Sequence, residues 1–204
     1  TEEVDRRMPG AMLCTLELEL KSGNVTDLCE LALKLANELP LRLDFVSKAE
    51  KGFHAFANEP AAPAKSAPVK FHSDSTLADA VTAIISNTLA QFTSNWASLR
   101  EADDPESIHQ MRVALRRLRS GLWMFGKALP GSHFADLSAT TKKTSKILEP
   151  AREFDVHRAS LEQGPLADAY PPPVRDALLA ALEEHRQIAY AQARSLIESA
   201  DAAA

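Results

Sequence analysis

From residue 73 to residue 199 the sequence keeps a helical apolar rhythm, interrupted only at Asp104-Pro105-Glu106, Pro130-Gly131 and Tyr170-Pro171-Pro172-Pro173. Proline and glycine end helices, and Asp before Pro starts them. The stretch therefore predicts four helices with short joins, which suggests an antiparallel bundle. Ser73, Asp74 or Ser75 can cap the first, which runs to about Leu99. Asp104 is the expected N-cap of the second, with Pro105 at N1 and an end near Leu129. The third starts near Phe134 and meets Pro150, which should kink or break it. The fourth runs from about Val174 to Ser199, with an apolar stripe through Leu178, Leu179, Leu182 and Ile188.

The residues before the bundle read differently. Cys14 to Lys21 alternates strictly, with Cys14, Leu16, Leu18 and Leu20 on one side and Thr15, Glu17, Glu19 and Lys21 on the other. That is the pattern of a strand. Leu28, Leu31, Leu35 and Leu39 then predict a helix from about Thr26 to Leu39, closed by Pro40. Leu41 to Val46 reads as a second short strand. Residues 57–70, rich in Ala and Pro, have the composition of a semi-extended linker. The expected fold class is α+β, mainly helical. Its expected segments are 1–56, a linker at 57–73, and a helical domain at 74–204.

No apolar run reaches the roughly 20 residues needed to cross a bilayer. The N-terminus is acidic and lacks the apolar core of a signal peptide. Cys14 and Cys29 belong to no Cys/His cluster, so a zinc site is not expected. A cytoplasmic protein with reduced thiols is the default reading. The net charge of −5 conceals its distribution. Residues 1–108 carry 10 Lys/Arg and 17 Asp/Glu, residues 153–204 carry 4 and 9, and residues 109–152 carry 9 against only Asp136 and Glu149. A charge block is usually a solvated face, but a basic block in an acidic chain can also be the footprint of an anion.

Helical phase decides between the two. Successive side chains turn by about 100°. On the second helix His109, Arg112, Arg116 and Arg119 fall on one side. Met111, Leu115, Leu118, Leu122, Phe125 and Leu129 cluster on the other, and Arg117 stands at an edge. On the third helix Lys142 and Lys146 form an i, i+4 pair opposite Leu137 and Leu148. If the two helices are antiparallel neighbours, both cationic faces can line one groove. Like charges along a helix face repel, and acidic partners at i±4 are nearly absent. An external polyanion can supply the missing counter-charge. Arginine binds phosphate through two parallel N–H donors, and His109 can donate to a phosphate oxygen.

The string His109-Gln-Met-Arg112-Val-Ala-Leu-Arg116-Arg117-Leu-Arg119 resembles the signature of the CHAD family, the conserved histidine α-helical domain. Leu148-Glu-Pro-Ala-Arg152-Glu-Phe-Asp155-Val156 is similar to that family's LGxARDxDV segment. The resemblance covers residues 75–204 and implies a helical domain that binds inorganic polyphosphate without a cofactor. It implies His109, Arg112, Arg116, Arg119, Lys142, Lys146 and Arg152 as phosphate ligands, with Asp155 orienting Arg152. Glu149 stands where the family usually has Gly. Family members also usually hold two related four-helix halves, and one is present here. A lone half can expose its basic face, form a homodimer that restores the pore, or be a truncated fragment.

Leu16-Glu-Leu-Glu-Leu-Lys-Ser-Gly23 and Ser47-Lys-Ala-Glu-Lys-Gly-Phe-His54 resemble the C-terminal end of a CYTH domain, a triphosphate tunnel metalloenzyme. That resemblance implies a partial β-barrel before the half-bundle. It also implies Glu17 and Glu19 as ligands of Mg2+ or Mn2+, and Arg42 and Lys48 as triphosphate clamps. The family's ExExK strand and most of the barrel are absent, so this chain is not expected to be a competent triphosphatase. The parent protein is expected to pair the domains and is a candidate inorganic triphosphatase, a metal-binding hydrolase. Nucleic acid is a third candidate partner and the least favoured. On the second helix the aromatics of the basic block are Trp123 and Phe125, which lie toward its apolar side or its border, so base stacking is not evident.

Overall fold

The computed structural model describes residues 2–3, 13–14, 16–39, 41, 62–126 and 133–203. The chain forms two compact units, Thr1–Leu43 with Ala200–Ala204, and Asp44–Ser199.

In the first unit, β1 (Glu2–Glu3) pairs antiparallel with β2 (Leu13–Cys14), Glu2 opposite Cys14 and Glu3 opposite Leu13. Residues 16–20 belong to no strand, contrary to the alternation from Cys14 to Lys21. Leu16 and Leu20 are exposed. An alternating segment becomes a strand only where a neighbour supplies the ladder and a core to bury one face. No partial barrel is seen among the described residues, and the second expected strand, Leu41–Val46, lies mostly outside them. After a turn in which Gly23 takes φ 108°, Asn24 accepts from the Thr26 N–H at 3.0 Å and starts α1 (Val25–Glu38). None of its residues is buried.

The second unit holds α2 (Leu77–Glu101), α3 (Pro105–Phe125) and α4 (His133–Glu162), and α5 (Pro172–Ala203) belongs to it up to Ser199. The cap of α2 is Thr76, not Ser73, Asp74 or Ser75. Thr76 Oγ1 accepts from the Asp79 N–H at 3.2 Å, and the Asp79 carboxylate accepts from the Thr76 N–H at 2.9 Å. The Thr76 hydroxyl, which donates to the Asp79 carboxylate at 2.7 Å, and then the Thr76 N–H hold the Asp79 carboxyl below its ordinary pKa. Asp104 caps α3 as expected, accepting from the Ser107 N–H at 2.8 Å with Pro105 in the first turn. The described part of α3 ends at Phe125; residues 127–130 lie outside it.

α4 runs unbroken through Pro150. Proline has no N–H for the carbonyl four residues back. The tertiary packing that overrides this local penalty is visible on both sides of it, since Leu148 and Ala151 are fully buried. α2 and α3 are antiparallel, with Asn87 bonded to Arg117 and Gln91 to Gln110. α4 and α5 are antiparallel too, with Asp155 bonded to Tyr190 and Arg158 to Glu183. The core collects Phe92 and Leu99 of α2, Ile108, Met111 and Leu115 of α3, Leu148 of α4, and Ala189, Tyr190 and Ala193 of α5.

The expected apolar stripe of α5 is not the buried one. Leu178 and Ile188 are exposed, while Arg186, Ala189, Tyr190 and Ala193 face the core. Arg186 enters the core because the Asp155 carboxylate meets it there. The Ala/Pro-rich segment forms no helix or strand in residues 62–70, but it is strapped to α2. Asn95, fully buried, donates to the Ala64 carbonyl at 2.8 Å and accepts from the Ala64 N–H at 3.1 Å. Asn87 donates to the Ala67 carbonyl at 2.9 Å.

Candidate functional site

As far as Leu122, α3 separates its two faces as its phase requires. Trp123, expected toward the apolar side or its border, is 83% exposed because the buried face ends one residue earlier. Ile108, Met111, Ala114, Leu115, Leu118 and Leu122 are buried. His109 and Arg112 are half-buried, and Arg116 and Arg119 are exposed. On α4, Lys142 and Lys146 are exposed and Arg152 is half-buried. The join at residues 126–132 is too short to run back along α3, so α3 and α4 pack antiparallel. Arg112 fixes their register. Its guanidinium donates to the Ser145 carbonyl at 3.1 Å and to Glu149 Oε1 at 3.4 Å. With Arg112 set between Ser145 and Glu149, the helical rise carries α3 toward Lys142 one turn along and toward Arg152 one turn back. Among the described residues, Arg116, Arg119, Lys142 and Lys146 make no hydrogen bond or ion pair.

Arg112 differs from those four. It ties α3 to α4, and Glu149 is its internal counter-ion. Glu149, which departs from the motif, therefore sits inside the cationic face and occupies one of its arginines. Arg117 is also committed, to Gln91 Oε1 at 2.9 Å and Asn87 Oδ1 at 3.1 Å. It extends a buried chain of amides in which Gln91 donates to Gln110 and Gln110 to Glu106, each at 2.7 Å.

Asp155 does not orient Arg152. It shares the core phase of Leu148 and Ala151, so its carboxylate turns toward α5. There it accepts from Arg186 Nε at 2.7 Å and from the Tyr190 hydroxyl at 2.8 Å. Arg186 also donates to the Asp103 carbonyl at 2.8 Å and stands over the Tyr190 ring at 4.3 Å. Arg194 pairs with Asp103 from the next turn but one. Burial would lower the Arg186 pKa, but the Asp155 hydrogen bond and the surrounding negative charges hold it above its ordinary value. Burial pushes the Tyr190 phenol well up, and Asp155 pushes it further. Sequence reasoning missed this clasp. The available signal was an Asp on the core phase of α4 with an Arg-x-x-x-Tyr pair on α5.

Glu17 and Glu19, the expected metal ligands, are exposed on the irregular segment 16–20. Among the described residues, no three His, Cys, Asp or Glu side chains gather to hold a metal ion. Arg42 and Lys48 lie outside the described residues. No helix of the described residues is long and apolar enough to cross a membrane.

Comparison with curated proteins and with solved structures returned no match for this chain. The CHAD domain family matches residues 83–204, which includes all of α3, α4 and α5. The matched residues start at 83 and leave the CYTH resemblance of residues 1–56 unsupported. The match spans more than half of the sequence, and the chain belongs to the CHAD domain family.

Proposed function

We propose that the α3–α4 face binds inorganic polyphosphate. The observation that carries this reading is the row of exposed cations without internal partners among the described residues: Arg116 and Arg119 on α3, Lys142 and Lys146 on α4. A row of like charges destabilises the bundle unless a counter-charge meets it, and a flexible chain of phosphates can meet each cation in turn. Membership of a family known for binding polyphosphate supports the same ligand. His109 and Arg152 extend the row by one turn at the Arg112 end. Arg112 contributes less than its neighbours, because it already holds Ser145 and Glu149. Binding of this kind needs no metal. The hydrolytic alternative, a metal-dependent triphosphatase built on residues 1–56, has no observation here that favours it.

The test is titration with long-chain polyphosphate over a range of salt concentrations. Arg116→Gln with Lys142→Gln removes two contacts and leaves both core faces intact. The affinity should fall, and the slope of log K against log salt should flatten by about 1.4–1.8. Failure to bind at low salt, or an unchanged slope in the double variant, counts against the proposal. Competition with single-stranded DNA at matched salt separates polyphosphate preference from general anion binding.

A further inference from the structure

Next to Arg116 the surface dips into a groove of about 690 Å³. The strap lines it with Val69 and Phe71, α2 with Ile84, and α3 with Gly121, Met124 and Phe125. Ser66 and Ser120 add hydroxyls. Arg117 forms part of the wall, but its guanidinium is held by Gln91 and Asn87. Arg116 is the cation that belongs to both the groove and the α3–α4 face.

Gly121 is informative here. Glycine inside a helix is destabilising relative to alanine. A Cβ at this position would meet only Ile84 Cγ2, at 3.5 Å, an ordinary van der Waals contact. Packing between α2 and α3 therefore does not demand glycine. What the missing side chain leaves is depth in the groove. An apolar, partly aromatic cleft with two hydroxyls and one uncommitted arginine, Arg116, suits a flat heteroaromatic group joined to phosphate. A plain hydrocarbon tail would leave both hydroxyls without partners.

We infer that the groove takes the nucleoside of a nucleoside triphosphate, whose phosphates pass Arg116 onto the α3–α4 face. This inference rests on the anion-binding reading of that face and adds a second, apolar subsite to it. The groove volume lies within the roughly 300–1,000 Å³ of small-molecule sites.

The experiment compares ATP with inorganic tripolyphosphate by calorimetry on the full chain at one salt concentration. Tripolyphosphate carries more charge than ATP, so electrostatics alone ranks it first. Occupation of the groove reverses that order, with ATP tighter by about tenfold, as one base stack supplies. Gly121→Leu fills the groove and should abolish the ATP advantage while leaving tripolyphosphate affinity unchanged. Phe71→Ala, on the strap and outside every helix, should reduce the advantage without disturbing the bundle. ATP binding no tighter than tripolyphosphate overturns the inference and leaves the polyphosphate face standing. An ATP preference that survives both variants also overturns it. If neither ligand binds, the face itself has failed and the groove subsite falls with it.

Discussion

Replacing Glu149 by glutamine tests whether the cationic face carries its own competitor. Arg112 Nη2 and Glu149 Oε1 lie 3.4 Å apart. Unit charges at that separation attract by about 1 kcal/mol in water and about 5 at an effective dielectric constant of 20. The side chains are 26% and 50% exposed, so screening brings the pair toward the 0–1 kcal/mol of surface ion pairs. A phosphate chain arriving at Arg112 must displace this partner and also meet the Glu149 charge. Removing both effects should raise polyphosphate affinity by about 3- to 10-fold, which corresponds to about 0.7–1.4 kcal/mol. One further phosphate contact should steepen the salt slope by about 0.7–0.9. The cost in stability should stay below about 1 kcal/mol, because Arg112 keeps its bond to the Ser145 carbonyl. The assay is polyphosphate titration across a salt series, with urea unfolding of the same samples. Unchanged or weaker affinity in Glu149→Gln, at unchanged slope, refutes the reasoning.

Three further outcomes follow from the fold. Asp155→Asn removes the charge paired with buried Arg186 and should destabilise the bundle by about 3 kcal/mol, the lower end for a broken buried pair, because Glu183 and the Asp103 carbonyl remain. A shift below about 1 kcal/mol in urea unfolding would mean the clasp is dispensable. The Tyr190 phenol is raised in the folded chain, so its contribution is fully present below the unfolded phenol pKa of about 10 and is lost as pH rises beyond it. Melting temperature should therefore decline between about pH 10 and pH 12 more steeply than in Tyr190→Phe, and parallel curves would contradict this. Asn95→Ala leaves both Ala64 backbone groups without their partner and should expose residues 62–70 to proteolysis while the helices persist. A strap as resistant as before would show that Asn95 does not hold it.

The cationic face was legible in the sequence because a helix at about 100° per residue turns spacing directly into direction. His109, Arg112, Arg116 and Arg119 had to share a side, and Met111, Leu115 and Leu118 had to share the opposite one. Asp104 was equally readable, since Asp before Pro is a local signal. What escaped depends on other segments. Thr76 outcompetes Ser73 and Ser75 because Asp79 stands three residues after it to complete the reciprocal cap. Pro150 stays helical because its neighbours are buried. Cys14 to Lys21 alternates like a strand, yet alternation alone makes no ladder. Arg186 looks solvent-facing until Asp155, 31 residues earlier, is known to turn toward it. The Arg112–Glu149 pair needed the register of two helices, and phase along either one cannot supply that.

The Asp103 clasp also bears on the order in which this bundle can assemble. Arg186 reaches a carbonyl 83 residues earlier, and Arg194 reaches a carboxylate 91 residues earlier. The α2–α3 hairpin has only local loops to close, so it can form early at little entropic cost. Its turn is locked only when α5 arrives. During synthesis α5 follows α2, α3 and α4, so until it emerges Asp155 has neither Arg186 nor Tyr190. The cationic face is then drawn on a scaffold whose core is still open, and its register with α4 is secured only when α5 packs.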